Sequence, residues 1–214
     1  MKKIIVIGHR GVMGYEPENT LRSFKKAIQL GVDAIELDVH LSKDKKLVVI
    51  HDKSVNRTTN GKGLVKNLTL IELKRLNAGK GEKIPTLQEV FDLIKKKCYI
   101  NIELKSPHVE EPVVAIIKKN RVENKVLLSS FKLAYLKNSK RQYNKLMVGL
   151  LHYGKITNEI EKAKKAGCDL FLPHYAFITK EVVKKVHKSG MKIMVWNVEK
   201  KKDILRIIKF TLNN

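Results

Sequence analysis

Short apolar runs alternate with longer segments of helical period along the whole 214-residue chain. Residues 4–8, 34–39, 47–50, 99–104, 126–129, 146–151, 169–172 and 192–196 have the length and β-branched character of strands. Between them, residues 20–30, 86–97, 111–120, 133–143, 158–166, 180–189 and 201–209 repeat apolar side chains every three or four positions, as helices do. In the first of these helices Leu21, Phe24, Ala27 and Ile28 share a face, with Thr20 placed to cap the start and Gly31 to end it. Thr86, with Glu89 three residues on, has the pattern of a capping box. A polar turn around Lys43, Asp44 and Lys45 joins the second and third strand-like runs. The loop-rich stretch that follows carries the turn pairs Asn60-Gly61, Lys62-Gly63 and Gly79-Lys80-Gly81, with one short helix at 68–77.

Alternation of strand and helix predicts a mostly parallel sheet. Eight strand-like segments point to a TIM-type (β/α)8 barrel in the α/β class rather than an open sheet. A doubly wound sheet would normally show a glycine-rich phosphate loop after its first strand, and this chain has His9-Arg10-Gly11 there. The chain is short for such a barrel, which typically needs about 200 to 250 residues or more. With no Pro- or Ser-rich linker and no repeat, the expectation is one domain over residues 1–214, with an insertion at about 52–85 after the third strand-like segment.

The informative feature is charge embedded in otherwise apolar strands. Alternation through residues 34–39 sets Glu36 and Asp38 on one face, with Ile35, Leu37 and Val39 on the other. The same alternation aligns Asn101, Glu103 and Lys105. In a barrel the charged set faces the interior near the C-terminal strand ends. Carboxylates are costly to bury there unless paired or bound to a cation. Oxygen-only ligation suits Mg2+ or Ca2+ rather than zinc. The competing reading is an edge strand with one wet face, which the repetition at Glu103 and Lys105 disfavours.

Two histidines, His9 and His51, end strand-like runs, and imidazole exchanges protons near neutral pH. Arg10 supplies a planar, permanently charged fork suited to phosphate. His40 falls in register with Glu36 and Asp38 but beyond the expected strand end, so it reads as exposed and structural. His174 follows a strand and could line the mouth; His108, His152 and His187 lack charged partners nearby in sequence.

Composition narrows the partners. The formal charge of +23 could signal a polyanion. However, 37 of the 44 basic residues are lysines spread along the chain, aromatics make up only 6%, and no basic segment interleaves stacking rings. That fits a lysine-rich surface drawing small anionic substrates, and no nucleic acid is expected. Two separated cysteines, Cys98 and Cys168, suggest a reduced, cytoplasmic protein without a thiolate metal site. No run approaches the roughly 18 apolar residues of a membrane span.

Taken in order, His9-Arg10-Gly11, Pro17-Glu18-Asn19-Thr20, Glu36-Leu37-Asp38-Val39, His51-Asp52, Arg57-Thr58-Thr59-Asn60-Gly61, Ile84-Pro85-Thr86-Leu87, Glu103-Leu104-Lys105, Ser130-Phe131 and Val195-Trp196 resemble the glycerophosphodiester phosphodiesterases. The motifs span nearly the whole chain. The resemblance implies a TIM barrel with a small insertion and metal-dependent hydrolysis of a small-molecule glycerophosphodiester to glycerol phosphate and an alcohol. It implies that Glu36, Asp38 and Glu103 bind a divalent cation and that His9 and His51 serve as general acid and base. Arg10 and Lys105 would hold phosphate, Glu18 would support the mouth, and Phe131 and Trp196 would line the glycerol side; plain packing is the alternative for both rings. Action on lysophospholipids, or a binding role without catalysis, are the rival functions. The chain departs from the family at Trp196-Asn197-Val198-Glu199, and nothing before Asn214 matches the family's closing strand, so a barrel lacking its closing C-terminal element is expected.

Overall fold

The computed structural model describes residues 4–212. The chain forms two compact units, Ile5–Leu127 and a second one from Leu128 onward that also takes in Ile4, with the boundary inside a strand.

The first unit begins with β1 (Ile7–Gly8), shorter than the 4–8 run because Ile5 and Val6 precede the ladder and are exposed. Helix α1 (Leu21–Gln29) follows, with Thr20 accepting from the Ser23 amide at its start and Gly31 at φ 76° after its end. Strand β2 (Ala34–Leu41) runs parallel to β1, with Ile7 opposite Ala34. Strand β3 (Leu47–Val49) turns back antiparallel on β2, pairing His40 with Val48 and Leu41 with Leu47. The third strand-like run is therefore the return arm of a hairpin, not a further parallel strand. The polar turn at Lys43–Lys45 is what allows so tight a reversal, since parallel neighbours need a long crossover.

The insertion has a small core of its own: Val48, Ile50, Val55, Val65, Leu73, Ala78 and Ile84 are buried together. Within it, α2 (Leu70–Arg75) starts at a capping box between Thr69 and Glu72 and is shorter than the 68–77 expectation. Helix α3 (Leu87–Ile94) opens on the expected Thr86–Glu89 capping box and stops where Lys95 and Lys96 turn left-handed. Strand β4 (Tyr99–Leu104) lies parallel to β2 with Glu36 opposite Asn101 and Asp38 opposite Glu103. Helix α4 (Glu110–Asn120) completes this unit, and β5 (Val126–Ser130) begins in it.

The second unit continues with α5 (Leu133–Gln142), β6 (Met147–His152), α6 (Glu159–Lys165), β7 (Leu170–Pro173), α7 (Lys180–Lys188), β8 (Lys192–Ile193) and α8 (Lys201–Leu212). Strands β6, β7 and β8 are parallel neighbours, Gly149 opposite Leu170 and Leu170 opposite Lys192. A Cβ at Gly149 would come within 2.3 Å of a Leu172 methyl, so a larger residue there would require that side chain to shift. The run expected at 192–196 is a strand only to Ile193, although a parallel bridge between His174 and Trp196 prolongs the pairing. Ile178, Val183 and Ile207 form the buried contact among α7, α8 and the preceding loop. Among the described residues no helix is long and apolar enough to cross a membrane.

Candidate active site

The loop after β1 carries the first two site residues, and its shape follows from two small ones, Gly11 and Ser23. Arg10 (φ 50°) and Gly11 (φ 87°) are both left-handed. A Cβ on Gly11 would lie 2.3 Å from the Ser23 hydroxyl, so only glycine allows the loop to sit against α1. That hydroxyl accepts from the Val12 amide (2.8 Å) and donates to the Arg10 carbonyl (3.1 Å). His9 and Arg10 are thereby fixed at the strand end.

The Pro17–Thr20 segment closes over them. Asn19, buried and left-handed at φ 56°, donates through Nδ2 to Asp38 Oδ2 (2.9 Å). Glu18 accepts from Arg10 Nη1 (2.8 Å) and from both terminal nitrogens of Arg57. Against the cost of burial, bonds from Arg57 and Arg10 hold the Glu18 carboxyl below its ordinary range.

Glu36, Asp38 and Glu103 converge. One carboxylate oxygen from each lies within 4.8 Å of the others, and Glu36 and Asp38 are 8% and 0% exposed. Alternation along β2 turns two acids inward, and the in-register pairing of Asp38 with Glu103 brings the third alongside. Burial, then the neighbouring carboxylates, raise the Glu36 pKa well above its ordinary value and raise that of Glu103 too. Arg10 offsets part of this charge: its amide donates to Glu36 Oε2 (2.9 Å) and its Nε lies 3.5 Å from Asp38 Oδ2. Lys105 donates to Glu103 Oε1 (2.9 Å) and lies 3.6 Å from Asp38 Oδ1. Burial pulls the Lys105 pKa down, but Glu103 and Asp38 outweigh it and the net shift is upward.

This donor set fits a hard divalent cation. Oxygens bound at about 2.0–2.6 Å to one ion can be at most about 5 Å apart. Asp38 Oδ1 and Asn101 Oδ1 are buried with no hydrogen-bond partner among the described residues. A cation would relieve both the repulsion and the unmet oxygen on Asp38.

His9 Nε2 lies 3.8 Å from Glu36 Oε2. Burial, with Arg10 next in size, lowers its pKa to about 4, so the imidazole is neutral near pH 7. His51 follows β3, and its Nδ1 is 2.6 Å from Asp52 Oδ1. An ionised carboxylate only accepts, so Nδ1 carries a proton and donates to Asp52. Arg57 in turn grips Asp52 through Nε (2.8 Å) and Nη2 (2.9 Å), holding the carboxyl far below its usual range.

His40 is a correction: it is 4% exposed, not on the surface. The hairpin with β3 extends β2 to Leu41, so alternation carries His40 inward, where its Nε2 is 3.1 Å from the His51 carbonyl. Residues with no role assigned from sequence are Asp52, Asn19 and Arg57, although adjacency to His51 was a signal for the first.

Phe131 and Trp196 belong to the second unit. They meet edge to face at 5.6 Å, and Trp196 Nε1 donates to the Leu172 carbonyl (2.7 Å). Tyr153 and His174 contact the same indole at 6.4 and 5.0 Å. His174 is thus part of a ring cluster.

An α/β fold that gathers carboxylates, imidazoles and permanently charged donors at its strand ends has the groups that a metal-assisted hydrolase of phosphate esters requires. A profile of the glycerophosphoryl diester phosphodiesterase family matches residues 9–213. The chain belongs to that family. It is 43% identical to a glycerophosphodiester phosphodiesterase of Caldanaerobacter subterraneus subsp. tengcongensis, over 97% of this chain and 90% of that protein. Among solved structures it is similar to an Oleispira antarctica phosphodiesterase in complex with the product sn-glycerol-3-phosphate (30% identity, TM-score 0.88, 98% of this chain and 90% of that one). It is also similar to a putative glycerophosphoryl diester phosphodiesterase of Silicibacter pomeroyi (26% identity, TM-score 0.91, 97% and 87%). The TIM-type α/β fold expected from sequence is the fold of this chain.

Proposed function

We propose that this chain hydrolyses small glycerophosphodiesters to glycerol phosphate and an alcohol at the strand-end site of its first unit. The convergence of Glu36, Asp38 and Glu103 within 4.8 Å carries this reading. These three acids would hold one divalent cation, Mg2+ or Ca2+, which would supply charge for the non-bridging phosphate oxygens and make the attacking hydroxyl more acidic.

The remaining work falls to the chain's own groups. Arg10 and Lys105, each already beside the acids, orient the phosphate by charge-assisted bonds. His9 and His51 each present an imidazole: one, in its neutral form, takes the proton of the attacking hydroxyl, and the other, in its protonated form, gives a proton to the departing alcohol oxygen. Asp52 accepts from His51 Nδ1 and so fixes the ring, leaving Nε2 as the nitrogen that exchanges the proton.

The test is alcohol release from glycerophosphocholine, assayed in parallel with EDTA, Mg2+ and Ca2+. Turnover should require a cation, and His9→Ala should lose about 10²- to 10⁴-fold. Undiminished turnover in a folded His9→Ala or Glu36→Ala protein refutes the assignment.

A further inference from the structure

The geometry points to Arg57 as a positioning residue that locks the carboxylate beside His51 and the carboxylate beside Arg10 into one frame. The inference rests on the roles just proposed for His51 and Arg10.

Arg57 comes from the insertion, five residues after Asp52 and 39 after Glu18. Its guanidinium makes two bonds to each: Nη1 and Nη2 to the Glu18 oxygens (2.7 and 2.8 Å), Nε and Nη2 to the Asp52 oxygens (2.8 and 2.9 Å). Both contacts are two-pronged, which fixes the angle of each carboxylate as well as its distance. On one side Asp52 meets His51 Nδ1 at 2.6 Å. On the other Glu18 meets Arg10 Nη1 at 2.8 Å, and the Arg10 amide reaches Glu36. One planar cation therefore sets the orientation of an imidazole and of a phosphate-binding guanidinium. A lysine could neutralise the same acids but could not hold both planes.

Merely fastening the insertion to the rest of the unit is a different task, and another group of residues does it. Lys80 Nζ donates to the Tyr15 carbonyl (3.1 Å) and Glu16 (2.8 Å), Arg22 Nε donates to Glu16, and the Arg22 amide donates to Glu82. None of these bonds includes a proposed site residue. A side chain half open to solvent, as Arg57 is, adds little stability through ion pairs alone. Its two-sided geometry is better explained by orientation than by fastening.

Arg57→Lys, Arg57→Ala and Lys80→Ala distinguish the two. Turnover and KM on glycerophosphocholine, the thermal midpoint, Mg2+ affinity by calorimetry and the His51 ring tautomer by nitrogen NMR are measured for each. Arg57→Lys should lose about 10- to 100-fold in kcat, the range for groups that orient active residues, with KM and Mg2+ affinity changing far less. Its His51 should shift from the Nδ1–H form to a mixture. Lys80→Ala should lower the midpoint and keep kcat. The proposal is overturned if Arg57→Lys and Arg57→Ala keep kcat within about twofold, or keep the wild-type tautomer. If Arg57→Ala fails to fold, Arg57→Lys decides alone. A wild-type protein inactive on every diester sinks the proposed function, while the tautomer measurement still decides the positioning claim.

Discussion

Charged groups and aromatic groups are held by opposite means in the two units. In the first, Glu36, Asp38 and Glu103 sit in a mesh of directional bonds to Arg10, Asn19 and Lys105, and Glu18 and Asp52 share Arg57. In the second, Phe131, Tyr153, His174, Phe177 and Trp196 meet through tilted and edge contacts at 4.9 to 6.4 Å, with Tyr153 64% exposed. The reason lies in desolvation. A buried charge is tolerated only with defined partners, so its position is set to fractions of an ångström. Ring faces and edges have shallow preferences, and such a cluster can adapt its shape. Proton transfer and cation binding need the first kind of order.

That contrast can be tested by how each region responds to a small change. The largest effect should come from the cation: at about 100 times its Kd, Mg2+ or Ca2+ should stabilise the fold by about 2.7 kcal/mol, read as a rise in the thermal midpoint. Glu36→Ala should abolish that rise. Next, Asn19→Ala removes a buried hydrogen bond to the Asp38 carboxyl and should cost about 1.5–3 kcal/mol in denaturant unfolding. In the ring cluster, Trp196→Phe loses the bond to the Leu172 carbonyl and part of the indole's ring contacts, and should cost about 1 to 2 kcal/mol. Tyr153→Leu should fall within about 0.5 kcal/mol of wild type, as for an ordinary surface change; a larger loss would show the rings to be rigidly specified.

The smallest effect concerns Glu16, whose pKa hydrogen bonds from Arg22 and Lys80 lower to about 2. A carboxyl depressed on folding contributes stability above its unfolded pKa, near 4.5, and loses it as pH falls toward 2. Wild type and Glu16→Gln should therefore differ slightly in unfolding midpoint at pH 6 and converge near pH 2. A gap that persists at pH 2 would show that the contribution is not ionic.

Much of this was legible in the chain because it is local. Alternation in residues 34–39 and 99–105 put Glu36, Asp38, Glu103 and Lys105 on single faces, and Thr20 and the Thr86–Glu89 pair marked helix starts that the structure keeps. Side-chain direction follows from backbone period, and a cap involves only three or four consecutive residues. The ordered motifs carried the family.

Other features needed the folded chain. Whether two acidic faces meet depends on lateral register, here Asp38 against Glu103, and no period in either strand encodes it. The reversal of β3 lengthened β2 and buried His40, which a strand ending at residue 39 would have left outside. Arg57 reaches Glu18 across 39 residues of sequence, through an insertion packed on its own small core. Local steric preferences are written residue by residue. Pairings between distant charges exist only after burial has made leaving them unpaired too costly.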